Sequence, residues 1–78
     1  MKLSSIHATR IAPTVTPVNQ RLWRVSAPTG AVLGHIERID DPDGERFRAR
    51  RLRAGLPSGV SIGEFWNVDD AAECFRVA

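Results

Sequence analysis

Arg46, Arg48 and Arg50 occupy every second position of the stretch Glu45–Arg53, which reads ERFRARRLR. Successive side chains of a strand face opposite sides, so these guanidinium groups share one face while Phe47 and Ala49 take the other. A guanidinium is a planar fork of donors that matches phosphate, carboxylate or the edge of guanine. Three forks spaced ~6.8 Å apart along one strand form a ridge suited to following a phosphate backbone. Arg24 joins that face from a neighbouring strand. Arg51 and Arg53 follow a break in the alternation at Arg50-Arg51-Leu52, where a bulge or strand end is expected, and they contribute only secondarily. The competing reading is a solvated face, its charges offset by Glu37, Glu45, Asp40 and Asp43 at ~0–1 kcal/mol per exposed pair.

No other residues combine into chemistry. His7, His35 and Cys74 are too few and wrongly spaced for a zinc site. Cys74 has no base near it in sequence and is expected to act as a small buried hydrophobe. The glycines lack the Lys-Ser/Thr ending of a phosphate loop. The sequence therefore predicts no enzyme, no cofactor and no metal. Trp66 follows Phe65, so one of the two must turn away from a core. An exposed Trp66 beside Leu22 or Leu33 would make an interface anchor.

The chain has 78 residues, 42% hydrophobic and 26% charged, with net charge +2. That is room for one small core. Ten of the eleven basic residues are arginine, a bias that a GC-rich genome would also produce. A single cysteine rules out an intrachain disulfide and fits a reducing cytosol. No apolar run follows Met1–Ile6, and none approaches the ~20 residues of a membrane span. A cytoplasmic protein with no membrane partner is expected.

The elements that would position the ridge follow from pattern. Pro13 and Pro17 oppose helix, and residues 1–20 read as an extended, mobile amino-terminal arm. Ile11, Val15 and Val18 leave open an edge strand there. Arg21–Ser26 is a strand, followed by the turn Ala27-Pro28-Thr29-Gly30. Ala31–Ile39 returns as a second strand, with Val32, Gly34 and Ile36 on one face and Leu33, His35 and Glu37 on the other. Asp40–Gly44 ends in the Asp-Gly pair of tight hairpins and leads into the arginine strand. Ala54–Gly59 reads as a loop, and Val60–Trp66 as a fourth extended segment. Asn67 then caps a helix of about three turns, with Asp70 three residues on. Val68, Ala71, Ala72, Phe75 and Ala78 form its apolar stripe.

The expected fold is α+β: a three- to four-stranded antiparallel meander with one carboxy-terminal helix packed on one face, residues 21–78 forming a single small β-β-β-α domain. Trp23, Val25, Val32, Ile36, Phe47, Ala49, Phe65, Ala72 and Phe75 would make the core.

Gly63, Phe65, Asp69, Asp70, Ala71, Ala72 and Phe75 stand in a Gly-x-Phe strand end leading to a capped helix with an acidic pair and two alanines. This passage resembles that of AP2-type and phage-integrase amino-terminal domains. The resemblance implies a three-stranded sheet plus helix whose open face docks into the major groove of DNA. The Trp-Arg-Val, Arg-Ala-Arg-Arg and Gly-Glu-Phe-Trp marks also resemble short actinobacterial proteins, which implies no activity.

Two functions follow. The first is a small binding module that engages DNA or RNA through Arg24, Arg46, Arg48 and Arg50, with Arg51 and Arg53. The second is a protein-interaction or homodimerisation module that binds itself or another protein around Leu33 and Trp66, or along an exposed edge of the arginine strand.

Overall fold

The computed structural model describes residues 13–76. They form five strands and one helix in the order β1 (Thr14–Asn19), β2 (Leu22–Ser26), β3 (Val32–Asp41), β4 (Gly44–Arg53), β5 (Leu56–Phe65) and α1 (Val68–Glu73). The strands pair antiparallel in chain order, β1-β2-β3-β4-β5. The class is α+β, with five strands where three or four were expected.

Both additional pieces of sheet come from segments whose local pattern is weak. Thr14–Asn19 pairs with β2 as an edge strand, so this part of the expected arm is sheet; the rest of that expectation, on residues 1–12, lies outside the described residues. Pro17 lacks a backbone donor and is tolerated because β1 is an edge. At the other edge, the expected loop Ala54–Gly59 shrinks to a turn at Ala54-Gly55, and β5 starts at Leu56.

The central pairing is regular. β3 and β4 stay in register from Gly34↔Arg51 to Asp41↔Gly44 without a shift. A Pro42-Asp43 turn joins them; Asp43 N–H donates to Asp41 Oδ1 at 2.9 Å, and Gly44 adopts φ 126°, which glycine tolerates without a Cβ clash. The break expected in β4 is borne instead by β5. Ala49 pairs with Gly63 but Arg50 with Ser61, which leaves Ile62 as an extra residue. Alternation in β4 therefore runs on, and Arg51 reaches the helix-covered face.

A second bulge redirects β3. Val25 pairs with Gly34 and Ser26 with Val32, so Leu33 is the unpaired residue. Leu33 packs against the core while Val32 is left exposed, the reverse of the simple alternation. A bulge sets two residues opposite one and flips the sense of facing beyond it.

The core lies between one sheet face and the helix. Val25, Ile36, Phe47, Ala49, Ala71 and Phe75 are buried, with Trp23, Phe65, Val68 and Ala72 partly buried against them. Trp23 meets Phe47 edge to face at 5.6 Å between ring centres. Asn67 caps the helix as expected: its side chain accepts from Asp70 N–H at 2.8 Å. The helix is shorter than expected, six residues, and is held by docking because so short a helix is unstable alone. Ala71 has no exposed surface, and its small side chain permits that close approach. Ala78, the last member of the expected stripe, lies outside the described residues.

Gly34 fills the narrowest point of this core. A Cβ there would collide with the Arg50 carbonyl oxygen and sit 2.8 Å from Phe75 Cε1. Gly34→Ala should cost about 3 kcal/mol through overpacking, read as a lower urea midpoint at unchanged slope. Gly30→Ala, at a site with open space for a Cβ but φ 96°, should cost less, about 1 kcal/mol.

Candidate functional site: the open face of the sheet

Alternation delivers Arg46, Arg48 and Arg50 to the face that the helix leaves uncovered. Two cross-strand rows define it: Leu22–Glu37–Arg48–Glu64 and Arg24–His35–Arg50–Ser61. Directly opposed side chains of neighbouring strands lie ~4.5–5.5 Å apart. The rows therefore bring acids and arginines together that are 11 to 16 positions apart in sequence.

The ridge is consequently an ion-pair lattice. Arg48 Nε and Nη2 donate to the same oxygen of Glu64, Oε2, at 3.1 and 2.9 Å. Arg50 Nε donates to Glu37 Oε1 at 2.9 Å, and Arg48 Nη1 stands 3.9 Å from that same oxygen. Arg46 lies 3.6 Å from Glu64, 3.5 Å from Asp41 and 3.9 Å from Asp43. Its Nε is covered and makes no hydrogen bond. The three arginine side chains keep only 27–32% exposure, so their stems are packed and their heads occupied.

Arg46 also lies under Trp66, its guanidinium 5.1 Å from the ring centre. Trp66 is 65% exposed and ends β5 on the open side, because its neighbour Phe65 turns into the core. A cation beneath the ring face favours this position of the indole by about 0.5–1 kcal/mol. Across the face, Leu22, His35, Glu37, Arg50, Leu52 and Ser58 surround a shallow depression of about 250 Å³.

The remaining arginines scatter. Arg24 has no ion-pair partner among the described residues and stands beside His35. Arg51 faces the helix side, 5.8 Å above the Phe75 ring. Arg53 is exposed near the β4–β5 turn. Arg51 and Arg53 thus do not join the ridge. Of the two residues suggested for a protein interface, Trp66 is exposed and Leu33 is not: the bulge has turned it inward. The arginine strand has no free edge either, since β4 lies between β3 and β5. Sequence reading missed Glu64 as the main partner of the ridge; its signal was the alternation Gly63-Glu64-Phe65, which sets it opposite Phe65 and on the open side.

Elsewhere, the acidic β3–β4 turn has its own network. Arg21 Nη1 donates to Asp40 at 3.0 Å, and this hydrogen bond, reinforced by the charges of Arg21 and Arg38, holds the Asp40 carboxyl below its usual range. Among the described residues no His, Cys, Asp and Glu cluster is arranged to hold a metal ion. No helix among them is long and apolar enough to cross a membrane.

The class these features define is a small α+β meander with one face under a helix and one face of interlocked charge. No protein-family model, curated protein or solved structure matches the chain.

Cys74 sits at the helix end, where its Sγ donates to the Ala71 carbonyl at 3.0 Å. Burial pushes its thiol pKa up, against weaker lowering by its backbone hydrogen bond and by Arg51. A raised folded-state value favours the neutral thiol, so the associated stability is full below the unfolded pKa and is lost as pH rises through the folded one. A thiol-disulfide reagent at mildly alkaline pH should therefore react more slowly with the native chain than with the urea-unfolded chain. Equal rates would refute this.

Proposed function

We propose that this protein is an interaction module that self-associates through the open face of its sheet, with Trp66 as the anchor. The observation that carries the reading is Trp66 itself: a large indole, mostly exposed and stacked over Arg46, at the margin of a face that no described element covers. Trp and Arg are the residues most enriched at interface hot spots, and a pre-positioned side chain loses little entropy on binding.

Two further features support it. The described residues carry nine arginines and nine acidic residues; the net +2 comes from Lys2 and Arg10. On the open face itself the row Leu22–Glu37–Arg48–Glu64 carries both signs, which suits pairing with a copy of the chain, where Arg meets Glu in both directions across a two-fold axis. The face extends over on the order of 600 Å² by strand spacing, close to one side of a standard interface at about 800 Å². In such a pairing Trp66 of each copy would seat in the depression between Leu22 and Leu52 of the other.

Sedimentation equilibrium from low to high micromolar concentration tests it. The expected result is a monomer–dimer equilibrium, with Trp emission shifting to shorter wavelength as dimer forms. Trp66→Ala should weaken association by at least about thirtyfold, the loss of a ~2 kcal/mol hot spot. A monomer throughout this range, with unshifted emission, overturns the reading.

One observation favours a second reading. Arg24 lies on the same face without an acidic partner among the described residues, next to His35 and Arg50. This fits engagement of nucleic acid by the sheet face, the mode that the AP2-like resemblance implies. Arg46, Arg48 and Arg50 would then have to exchange carboxylates for phosphates. Binding of labelled duplex and single strands should fall by about 0.9 log units per phosphate contacted per log unit of salt. Arg24→Ala should reduce that slope by about one; no binding at low salt excludes this reading.

A further inference from the structure

The charges of this domain are segregated along the strands. An antiparallel meander places the β2–β3 and β4–β5 turns at one end of the sheet and the β1–β2 and β3–β4 turns at the other. The second end holds Asp40, Asp41, Asp43 and Glu45, paired with Arg21, Arg38 and Arg46. Moving the other way, past the row that holds Glu37 and Glu64, the described strands and turns contain no acidic residue at all. They contain Arg24, Arg50, Arg51 and Arg53. Only Arg50 of these four has an ion-pair partner among the described residues, Glu37. On the helix, Glu73 is paired with Arg76 at 3.1 Å.

The tip of this end is apolar. Leu52 is 46% and Leu56 49% exposed, on either side of the Ala54-Gly55 turn and followed by Pro57. With Arg53 these residues line an open hollow at the extremity of the hairpin. Leu52 and Leu56 flank the turn in water, and no element of the described chain covers them. Among the described residues Arg51 and Arg53 beside them have no acidic partner.

We infer that the β4–β5 hairpin tip docks on an anionic lipid surface, Leu52 and Leu56 entering the headgroup–acyl boundary while Arg51, Arg53 and Arg24 meet lipid phosphates. The pairing of the two chemistries selects this partner. Arginines near an anionic leaflet gain from its surface potential, and aliphatic side chains gain from leaving water at its boundary. Nucleic acid would use the arginines but leave the leucines wet, since single strands are held by stacking on aromatic rings. The expectation of no membrane partner came from the lack of a spanning stretch, and a hairpin tip spans nothing. Leu52 also borders the depression proposed to receive Trp66, so the two readings share that side chain, whereas Arg53 and Leu56 belong to the tip and Trp66 to self-association alone.

Co-sedimentation of the full chain with vesicles tests it, comparing phosphatidylcholine alone with phosphatidylcholine containing phosphatidylserine, at low and high salt. Binding is expected only to the anionic vesicles and should weaken with salt. Arg53→Gln should lower the partition coefficient about fivefold. The Leu52→Ser, Leu56→Ser double variant should abolish binding, with native Trp emission showing that it remains folded. Trp66→Ala should bind as the unaltered chain does, which separates this result from that for self-association. Failure to bind anionic vesicles at low salt overturns the proposal. So does binding indifferent to the leucines, or binding to a labelled oligonucleotide but not to vesicles.

Discussion

The unbroken register between β3 and β4 is the constraint on which everything else in this domain depends. It runs from Gly34↔Arg51 to Asp41↔Gly44 and holds the period of two from Gly34 to Asp41 and from Gly44 to Arg51. Ile36 and Ala49 are thereby stacked together in the core while Glu37 and Arg48 are stacked together outside it. A slip by one residue would exchange the two faces and bury three arginines. The bulges at Leu33, in the β2–β3 pairing, and at Ile62, in the β4–β5 pairing, leave this central pairing unshifted.

From that register the rest follows by packing. Phe47 and Ala49 supply the middle of the core; Gly34 leaves the gap that Phe75 fills; Ala71 allows the six-residue helix to come down on the sheet. Full burial of a side chain such as Ile36 contributes about 1.5–3 kcal/mol, and among the described residues only six hydrophobic side chains are buried. So small a core has little surplus, and the ion pairs of the open face add to it modestly, at ~0–1 kcal/mol each where solvent reaches them. Their larger effect is on recognition. They turn what looks like a cationic ridge into a neutral lattice and leave Trp66 as the feature most available to a partner.

Charge is thus arranged on two scales. In the row Glu37–Arg48–Glu64 of the open face, signs alternate between neighbouring strands and offset one another. Along the strands, the acids collect beside the β3–β4 turn, and the arginines without acidic partners collect towards the β4–β5 turn. The first arrangement suits a surface of like kind; the second suits an extended anionic one. A single overall charge of +2 conveys neither.

Much of the architecture was legible from residue order. The alternation in Glu45–Arg53, the Asp-Gly hairpin, the Pro-Gly turn and the Asn67 cap are local signals, and local backbone preference was enough to place β2, β3, β4 and the start of the helix. What tertiary structure alone decided was non-local. Thr14–Asn19, β-branched but broken by Pro17, and Leu56–Gly59, with Pro57 and Gly59, carry mixed local signals and became strands because the neighbouring edges offered unpaired amides and carbonyls. The bulges arose from cross-strand fit, and they reversed Leu33 and Val32 and kept Arg51 in step with the core side. Glu37 and Glu64 stand 27 residues apart in sequence, yet both close on Arg48, because pairing on either side of β4 brings them within reach. The sequence by itself determined that three arginines would share a face; only the folded sheet determined that acids would already hold them.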